Sequence, residues 1–299
     1  MRADASECPR CGVIYAKAEA HAAAVAVAVP PLEATGGSPE PDGGSTWPGE
    51  ADDAVLEQRL RAFGIPAALL IAWLAVHTGL GHFLLRTFLS MWVHEIGHAV
   101  AAWLCGYPAF PAPWFTPVAD QRSALFVVLV ASGLAFAAAR SWSAERRVLA
   151  CTAAALLVLQ LCCTTLLRPD SARQLIVFAG DGGCLVLGAF LMASVYAPRG
   201  SAIERGWLRW GFLAIGSASF ADAFSQWWSA RHDYDSIPFG RNEGVGLSDP
   251  SVLTETFDWT TGALVHRYVA VGCVCLAALA ALYAVGLARS GRPAADRRA

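Results

Sequence analysis

The chain has 299 residues, of which 56% are hydrophobic and only 15% are charged, and its formal net charge is −2. Soluble globular domains carry about 25% charged residues, so the composition excludes an ordinary soluble domain. This net charge says nothing about a polyanionic partner, and we expect no nucleic-acid partner. Long apolar runs and a mean hydropathy of +0.44 predict an all-α polytopic protein with about six to seven transmembrane helices. We expect a multi-pass protein of the bacterial inner membrane, in contact with the lipid bilayer.

A short cysteine motif lies near the N-terminus. Cys8 and Cys11 stand in a CPxCG sequence, which is typical of a zinc knuckle in which two thiolates share one metal ion. A full site needs four ligands, so residues 1–20 predict half of a second metal site that another chain could complete. The alternative is a redox-exposed thiol pair. Residues 21–53, rich in Pro, Gly and acidic residues, are predicted to be a disordered linker.

Residues 54–229 are predicted to form the membrane-embedded core. Its apolar segments are 64–85, 87–104, 123–139, 148–167, 174–196 and 207–228. Residues 106–121 contain four prolines and many aromatic residues, so they suit a loop or re-entrant strand at the membrane interface. Residues 230–265 are polar and predict an extramembrane insertion, and residues 266–299 predict a last transmembrane helix with a basic tail. Arginine-rich loops and the cysteine motif favour opposite orientations, which stay open.

The second apolar segment carries a metal-binding motif. His94 and His98 flank Glu95 in the sequence HEIGH, and residues four apart on a helix share one face, so both imidazoles can meet one ion. Glu95 can then take the proton of a metal-bound water. An ionisable side chain at the bilayer centre costs about 2.5–3.5 kcal/mol on insertion scales. Three such residues together need a compensating partner, which zinc supplies. Gly97 is small enough to let another backbone approach.

Two further acidic residues lie inside later apolar segments. An unpaired carboxylate at the position of Asp181 is costly, whereas a carboxylate bound to zinc is not. Two imidazoles and one carboxylate leave a fourth position for water, as in a catalytic zinc site, so Asp181 is the predicted third ligand. Asp222 is the alternative ligand, or a hydrogen-bond partner of a motif histidine. His77 and His82 are not on one helix face, and packing or interfacial roles are predicted for them.

The HEIGHA sequence that begins at His94 resembles the zinc motif of the site-2 protease family of intramembrane metalloproteases. The sequence Asp181-Gly-Gly-x-x-Leu is similar to that family's later aspartate motif, although Cys184 stands where a basic residue is common and the usual preceding Asn-Pro is absent. The resemblance covers roughly residues 88–197. It implies an endopeptidase with Zn²⁺ on His94, His98 and Asp181, which cleaves membrane-spanning or juxtamembrane protein substrates.

Two other functions fit the same side chains. One is a zinc-binding membrane scaffold or sensor without proteolytic activity. The other is a transporter in which the buried His, Glu and Asp residues relay ions or protons. The intact Glu95 favours the protease, because a scaffold does not need a general base. The sequence predicts neither the identity of the substrate nor the oligomeric state.

Overall fold

The computed structural model describes residues 48–197, 201, 203, 208–242 and 246–290, and for 48–58, 242 and 288–290 it describes the backbone only. Cys8 and Cys11 lie outside the described residues, as does most of the predicted linker. The first described helix begins at Pro48. Residues 48–53, the last part of the predicted linker, lie in this helix.

The described part of the chain is mostly helical. The helices in chain order are α1 (Pro48–Val76), α2 (Gly79–Leu85), α3 (Met91–Leu104), α4 (Ala124–Ser143), α5 (Arg147–Leu166), α6 (Pro169–Ala193), α7 (Leu208–Ser229), the short α8 (Asp249–Ser251) and α9 (Thr261–Ser290). π-helical turns cover Arg86–Ser90 and Val252–Thr256, and 3₁₀ turns cover Ser194–Tyr196 and Tyr234–Ser236. Two short antiparallel strands, β1 (Arg241–Asn242) and β2 (Gly246–Leu247), pair with each other.

Several of these helices are long and apolar enough to cross a membrane. Within the described ranges there are five such stretches: Arg59–Val76, Ala124–Ser143, Arg147–Leu166, Pro169–Tyr196 and Thr261–Leu287. They agree with an all-α multi-pass membrane protein, whereas the predicted number of six to seven spans is not confirmed. Helix α7 is not among the five; it contains several polar residues, which lower its mean hydropathy, among them Arg209, Ser219 and Asp222.

The helix that carries the HEIGH motif starts earlier than predicted. A single span was expected over residues 64–85, but α1 ends at Val76 and α2 begins after Thr78, whose Oγ1 accepts a hydrogen bond from the N–H of Gly81 at 3.1 Å. Helix α2, the π turn and α3 then follow one another without interruption from Gly79 to Leu104. A π turn inserts one extra residue and often lies near a functional site.

Helix α6 lies at the centre of the bundle and packs against α3, α7 and α9. Its closest approach to α3 is at Gly97. A Cβ atom on Gly97 would overlap the carbonyl oxygen of Ala179 and would lie 2.9 Å from the Cα of Gly183. Small residues let helix backbones touch in membranes, as the sequence predicted for Gly97. This contact fixes the motif helix against α6.

We expect Gly97→Ala to destabilise the protein by about 1–3 kcal/mol, because the added methyl group must push two packed helices apart. Thermal unfolding in detergent, followed by tryptophan fluorescence, measures the change. Gly133→Ala is the matched control, since no atom lies within 4 Å of the position of its Cβ. The control should be neutral or slightly stabilising through helix propensity. Equal midpoints for the two variants would contradict this packing.

The Pro-rich segment 106–121 is non-helical, as predicted. It folds back on itself through isolated bridges between Ala109 and Val118 and between Ala112 and Phe115. The indole N–H of Trp103, in α3, donates a hydrogen bond to the carbonyl of Ala109 at 2.9 Å. We call residues 106–121 the Pro-rich hairpin. This hairpin is tied to the helix that carries the motif.

The segment between α7 and α9, predicted to be an extramembrane insertion, folds onto the helices. Ser251 and Leu253 are fully buried. The hydroxyl of Ser251 accepts a hydrogen bond from the N–H of Gly240 at 2.9 Å. The indole N–H of Trp259 donates to Oε1 of Gln174, in α6, at 3.0 Å. These contacts hold α8 against α6.

Candidate metal centre

The two motif histidines share one face of α3, as their spacing predicts. Their Nε2 atoms are 3.1 Å apart, and the side chains of His94 and His98 are 14% and 12% exposed. Both rings therefore converge on one point that solvent can still reach.

Neighbouring acceptors fix the proton on each imidazole ring. Nδ1 of His94 lies 3.0 Å from Oδ1 of Asp181, and Nδ1 of His98 lies 2.7 Å from the carbonyl oxygen of Ile176. A carboxylate and a carbonyl can only accept, so in each neutral ring Nδ1 carries the hydrogen and donates it. Both Nε2 atoms consequently hold free lone pairs that point at each other, the arrangement expected of histidines that bind a metal.

A third side chain completes the arrangement. Oδ2 of Asp249, the first residue of α8, lies 3.1 Å from Nε2 of His94 and 3.1 Å from Nε2 of His98. With the 3.1 Å between the two nitrogens, the three atoms form a nearly equilateral triangle. Asp249 Oδ2 is buried, yet no described group makes a hydrogen bond to it in an acceptable geometry.

The triangle fits a metal ion better than a set of hydrogen bonds. Three lone pairs held 3.1 Å apart repel one another unless a cation lies among them. Zinc bonds of about 2.0–2.1 Å in tetrahedral geometry place neighbouring ligand atoms about 3.3 Å apart, close to the separation found here. Two imidazoles and a carboxylate are also a donor set that zinc accepts. These residues can therefore hold one zinc ion.

Gly180 lies directly against the triangle. A Cβ atom at this position would lie 2.6 Å from both Asp249 Oδ2 and His94 Nε2. A side chain at position 180 would collide with the ligand atoms, so the glycine leaves the space in which Asp249 meets the two histidines.

Asp181, the predicted third ligand, lies at a different edge of the His94 ring. Its Oδ1 faces Nδ1 of His94, and its Oδ2 accepts a hydrogen bond from the indole N–H of Trp227 at 2.9 Å. Both oxygens are thus occupied on the side of the ring that faces away from Nε2. We therefore replace Asp181 with Asp249 in the candidate ligand set, and assign to Asp181 the orientation of His94.

A second group of side chains could also approach a metal ion. His94, Asp181 and Cys184 place one ligand atom each within 4.8 Å of one another. This group uses Nδ1 of His94 and leaves out His98. It would also require Asp181 to exchange its hydrogen bond with His94 for a metal bond. The group of His94, His98 and Asp249 needs no such exchange, because its lone pairs are already free.

Asp222, the alternative ligand, belongs to another polar cluster. Its two oxygens accept hydrogen bonds from Nε2 of His82 at 3.1 Å and from Nη1 of Arg86 at 3.0 Å. The carboxylate is fully buried, and these two partners satisfy it. The prediction that Asp222 binds the metal or a motif histidine therefore has no support in its described contacts.

Glu95 is buried beside the Pro-rich hairpin. The hydroxyl of Thr116 lies 2.7 Å from Oε2 of Glu95 and 3.0 Å from its backbone carbonyl, and its single proton can be donated to either. Glu95 is only 4% exposed. Because it follows His94 directly, it projects about 100° further round the helix axis. Thr116 thus restrains the carboxylate of the residue that follows the candidate ligand His94.

The surroundings of Asp249 keep its carboxylate charged. Burial raises the pKa of Asp249, but the imidazoles of His98 and His94, when they are protonated in the metal-free protein, outweigh burial and lower this pKa below its usual value. Sequence reasoning missed Asp249 because it lies in a polar stretch, where an acidic residue is unremarkable. Asp181 was conspicuous because its neighbours in the chain are apolar.

We expect Trp227→Phe to weaken zinc binding by up to about tenfold, because Asp181 loses one of its two hydrogen-bond donors and holds His94 less firmly. The phenyl ring retains the stacking on Tyr268, which has a centroid distance of 4.1 Å. Competition with a chromophoric chelator measures the affinity. Trp228→Phe, one residue along the same helix and 41% exposed, is the control. Unchanged affinity in Trp227→Phe would contradict the role of Asp181.

No protein-family model, curated protein or solved structure matches this chain.

Proposed function

We propose that the protein is an intramembrane zinc-dependent endopeptidase that hydrolyses peptide bonds of membrane-spanning or juxtamembrane substrates. The observation that carries the proposal is the triangle of His94 Nε2, His98 Nε2 and Asp249 Oδ2, with 3.1 Å between each pair of atoms. The resemblance of the HEIGH motif to that of the site-2 proteases supports it. Asp249 takes the place that the resemblance gave to Asp181.

Each residue near the triangle has a role in this proposal. Zinc, when bound, supplies a water with a pKa near 7 and polarises the carbonyl that is attacked. Glu95 takes the proton of the attacking water and returns it to the leaving amine. Asp181 and the carbonyl of Ile176 hold the imidazoles in the tautomer that presents Nε2. Thr116 holds Glu95 in place and links it to the Pro-rich hairpin.

Three protein ligands favour catalysis over a purely structural metal. Structural zinc sites close the coordination shell with four protein ligands, whereas catalytic sites keep one position for water. The side chain of Asp249 is 23% exposed, so solvent reaches the edge of the site. The proposal therefore favours the protease over a zinc-binding scaffold.

Membranes from cells that produce the protein test the proposal. Newly formed peptide termini are identified by mass spectrometry with and without 1,10-phenanthroline. We expect new termini inside or next to membrane-spanning segments, which chelation abolishes and added zinc restores. Bound zinc without any new termini would indicate the scaffold. A purified protein without zinc would overturn the proposal, and the transporter would be the remaining alternative function.

A further inference from the structure

Two adjoining cavities lie along α1 and α7, away from the candidate metal centre. The first, of about 390 Å³, is almost entirely apolar and is lined by residues that include Leu69, Trp73 and Phe224. The second, of about 410 Å³, is lined by residues that include Arg86 and Gln226. The cavities share the lining residues His77, Ser225 and Ser229. They form one continuous depression with an apolar and a polar end, which we call the α1–α7 groove.

The ends of neighbouring helices indicate the depth of the groove in the bilayer. The polar end lies where the candidate span Arg59–Val76 stops and where α7 ends at Ser229. Trp73 and Trp228 are 51% and 41% exposed and line the apolar cavity, which also contains the shared residues His77 and Ser229. Half-exposed tryptophans are typical of the interface between hydrocarbon and headgroups. The apolar end therefore points into the hydrocarbon, and the polar end lies at headgroup level.

One hydrogen-bond donor at the polar end has no partner among the described residues. Asp222 is satisfied by His82 and by Nη1 of Arg86, and Nη1 also lies 3.4 Å from Oε1 of Gln226. Nε2 of Gln226 is buried and has no acceptor among the described residues. A buried amide donor without a partner is energetically costly. The side chain of Arg86 is 29% exposed. Both of its described hydrogen bonds are made by Nη1, so none is described for Nε or Nη2. A ligand with anionic oxygens would satisfy both residues.

We propose that the α1–α7 groove binds one anionic glycerophospholipid, with its phosphate at Arg86 and Gln226 and one acyl chain along Leu69, Trp73 and Phe224. Phosphate oxygens accept charge-assisted hydrogen bonds from guanidinium groups, and basic pockets between helices at headgroup depth suit such lipids. A transmembrane helix fits less well, because its backbone groups are paired internally and offer no acceptor to Gln226. A free phosphate would leave the apolar end unfilled.

Native mass spectrometry of the purified full chain in detergent, titrated with phosphatidylglycerol, tests this proposal. We expect one lipid per chain and about tenfold weaker binding in Gln226→Leu and in the charge-balanced variant Arg86→Gln/Asp222→Asn. The control Arg140→Gln changes an exposed arginine at the end of α4 and should bind like wild type. Zinc content should be the same in all four proteins, since the proposal is independent of the metal centre.

Three results would overturn the proposal. Equal lipid binding in the two groove variants and the control would show that the groove is not the site. Displacement of the lipid by inorganic phosphate alone would indicate a site for a free anion. Displacement by a single-span peptide would assign the groove to a protein segment. Circular dichroism of each variant verifies that the helices are intact. If the double variant does not fold, Gln226→Leu still tests the proposal, because it keeps the Arg86–Asp222 ion pair.

Discussion

Glu95→Gln is expected to retain zinc and to lower proteolysis by about 10²–10⁴-fold. Glutamine keeps the size of the side chain and still accepts the hydrogen bond from Thr116, which is 2.7 Å long in the wild type. It cannot take a proton from water, and loss of a general base has an effect of this size. The measurements are zinc content per chain and the rate of appearance of cleaved termini.

Thr116→Val is the matched control for this prediction. It removes the hydroxyl that restrains Glu95 but leaves the carboxylate able to accept a proton, so we expect a smaller loss of activity than in Glu95→Gln. Thr116→Ser keeps the hydroxyl and should therefore retain most of the wild-type proteolytic activity. Full proteolysis in Glu95→Gln would exclude the residue as the general base, and loss of zinc from that variant would show that Glu95 acts through the metal site.

The second large effect is a loss of zinc affinity, expected on substitution of the two aspartates beside His94. Asp249→Ala should abolish stoichiometric zinc binding, because it removes one of three direct ligands. Asp181→Asn should weaken binding by about 10–100-fold, which is the usual cost of losing the hydrogen-bond partner of a ligating histidine. Zinc titration of the metal-free variants measures both affinities.

This comparison separates the two candidate ligand sets. The set of His94, His98 and Asp249 predicts that Asp249→Ala has the larger effect. The sequence-based set, with Asp181 as a ligand, predicts the opposite order. Unchanged zinc binding in Asp249→Ala would therefore contradict the assignment made from the structure. Asp170→Ala, a change in the exposed first turn of α6, serves as the control and should bind zinc like wild type.

Local spacing predicted the part of the centre that a single helix builds. His94 and His98 are four residues apart, so their shared face follows from helix geometry alone. The contact of Gly97 with α6 also follows from local composition, because a small residue next to a polar motif marks a close helix approach. The long apolar segments in turn predicted the all-α class.

The candidate third ligand, Asp249, could not be predicted, because its position depends on how a polar segment folds back over the bundle. Asp181 was selected on the argument that a buried carboxylate needs zinc, yet hydrogen bonds from His94 and Trp227 satisfy it. Asp222 is likewise satisfied without a metal, by hydrogen bonds from His82 and Arg86, which lie far from it in the sequence. Burial of a charge shows that it has a partner, but the sequence does not identify which one.

X-ray absorption at the zinc K edge tests most directly the claim that His94, His98 and Asp249 bind zinc. The purified Cys8→Ser/Cys11→Ser variant is used, because these substitutions remove the cysteine motif as a second source of sulfur. We predict about one zinc per chain, with nitrogen and oxygen ligands at about 2.0–2.1 Å and no sulfur shell at about 2.3 Å. A sulfur ligand would indicate the group that contains Cys184, and a protein without bound zinc would contradict the metal centre itself.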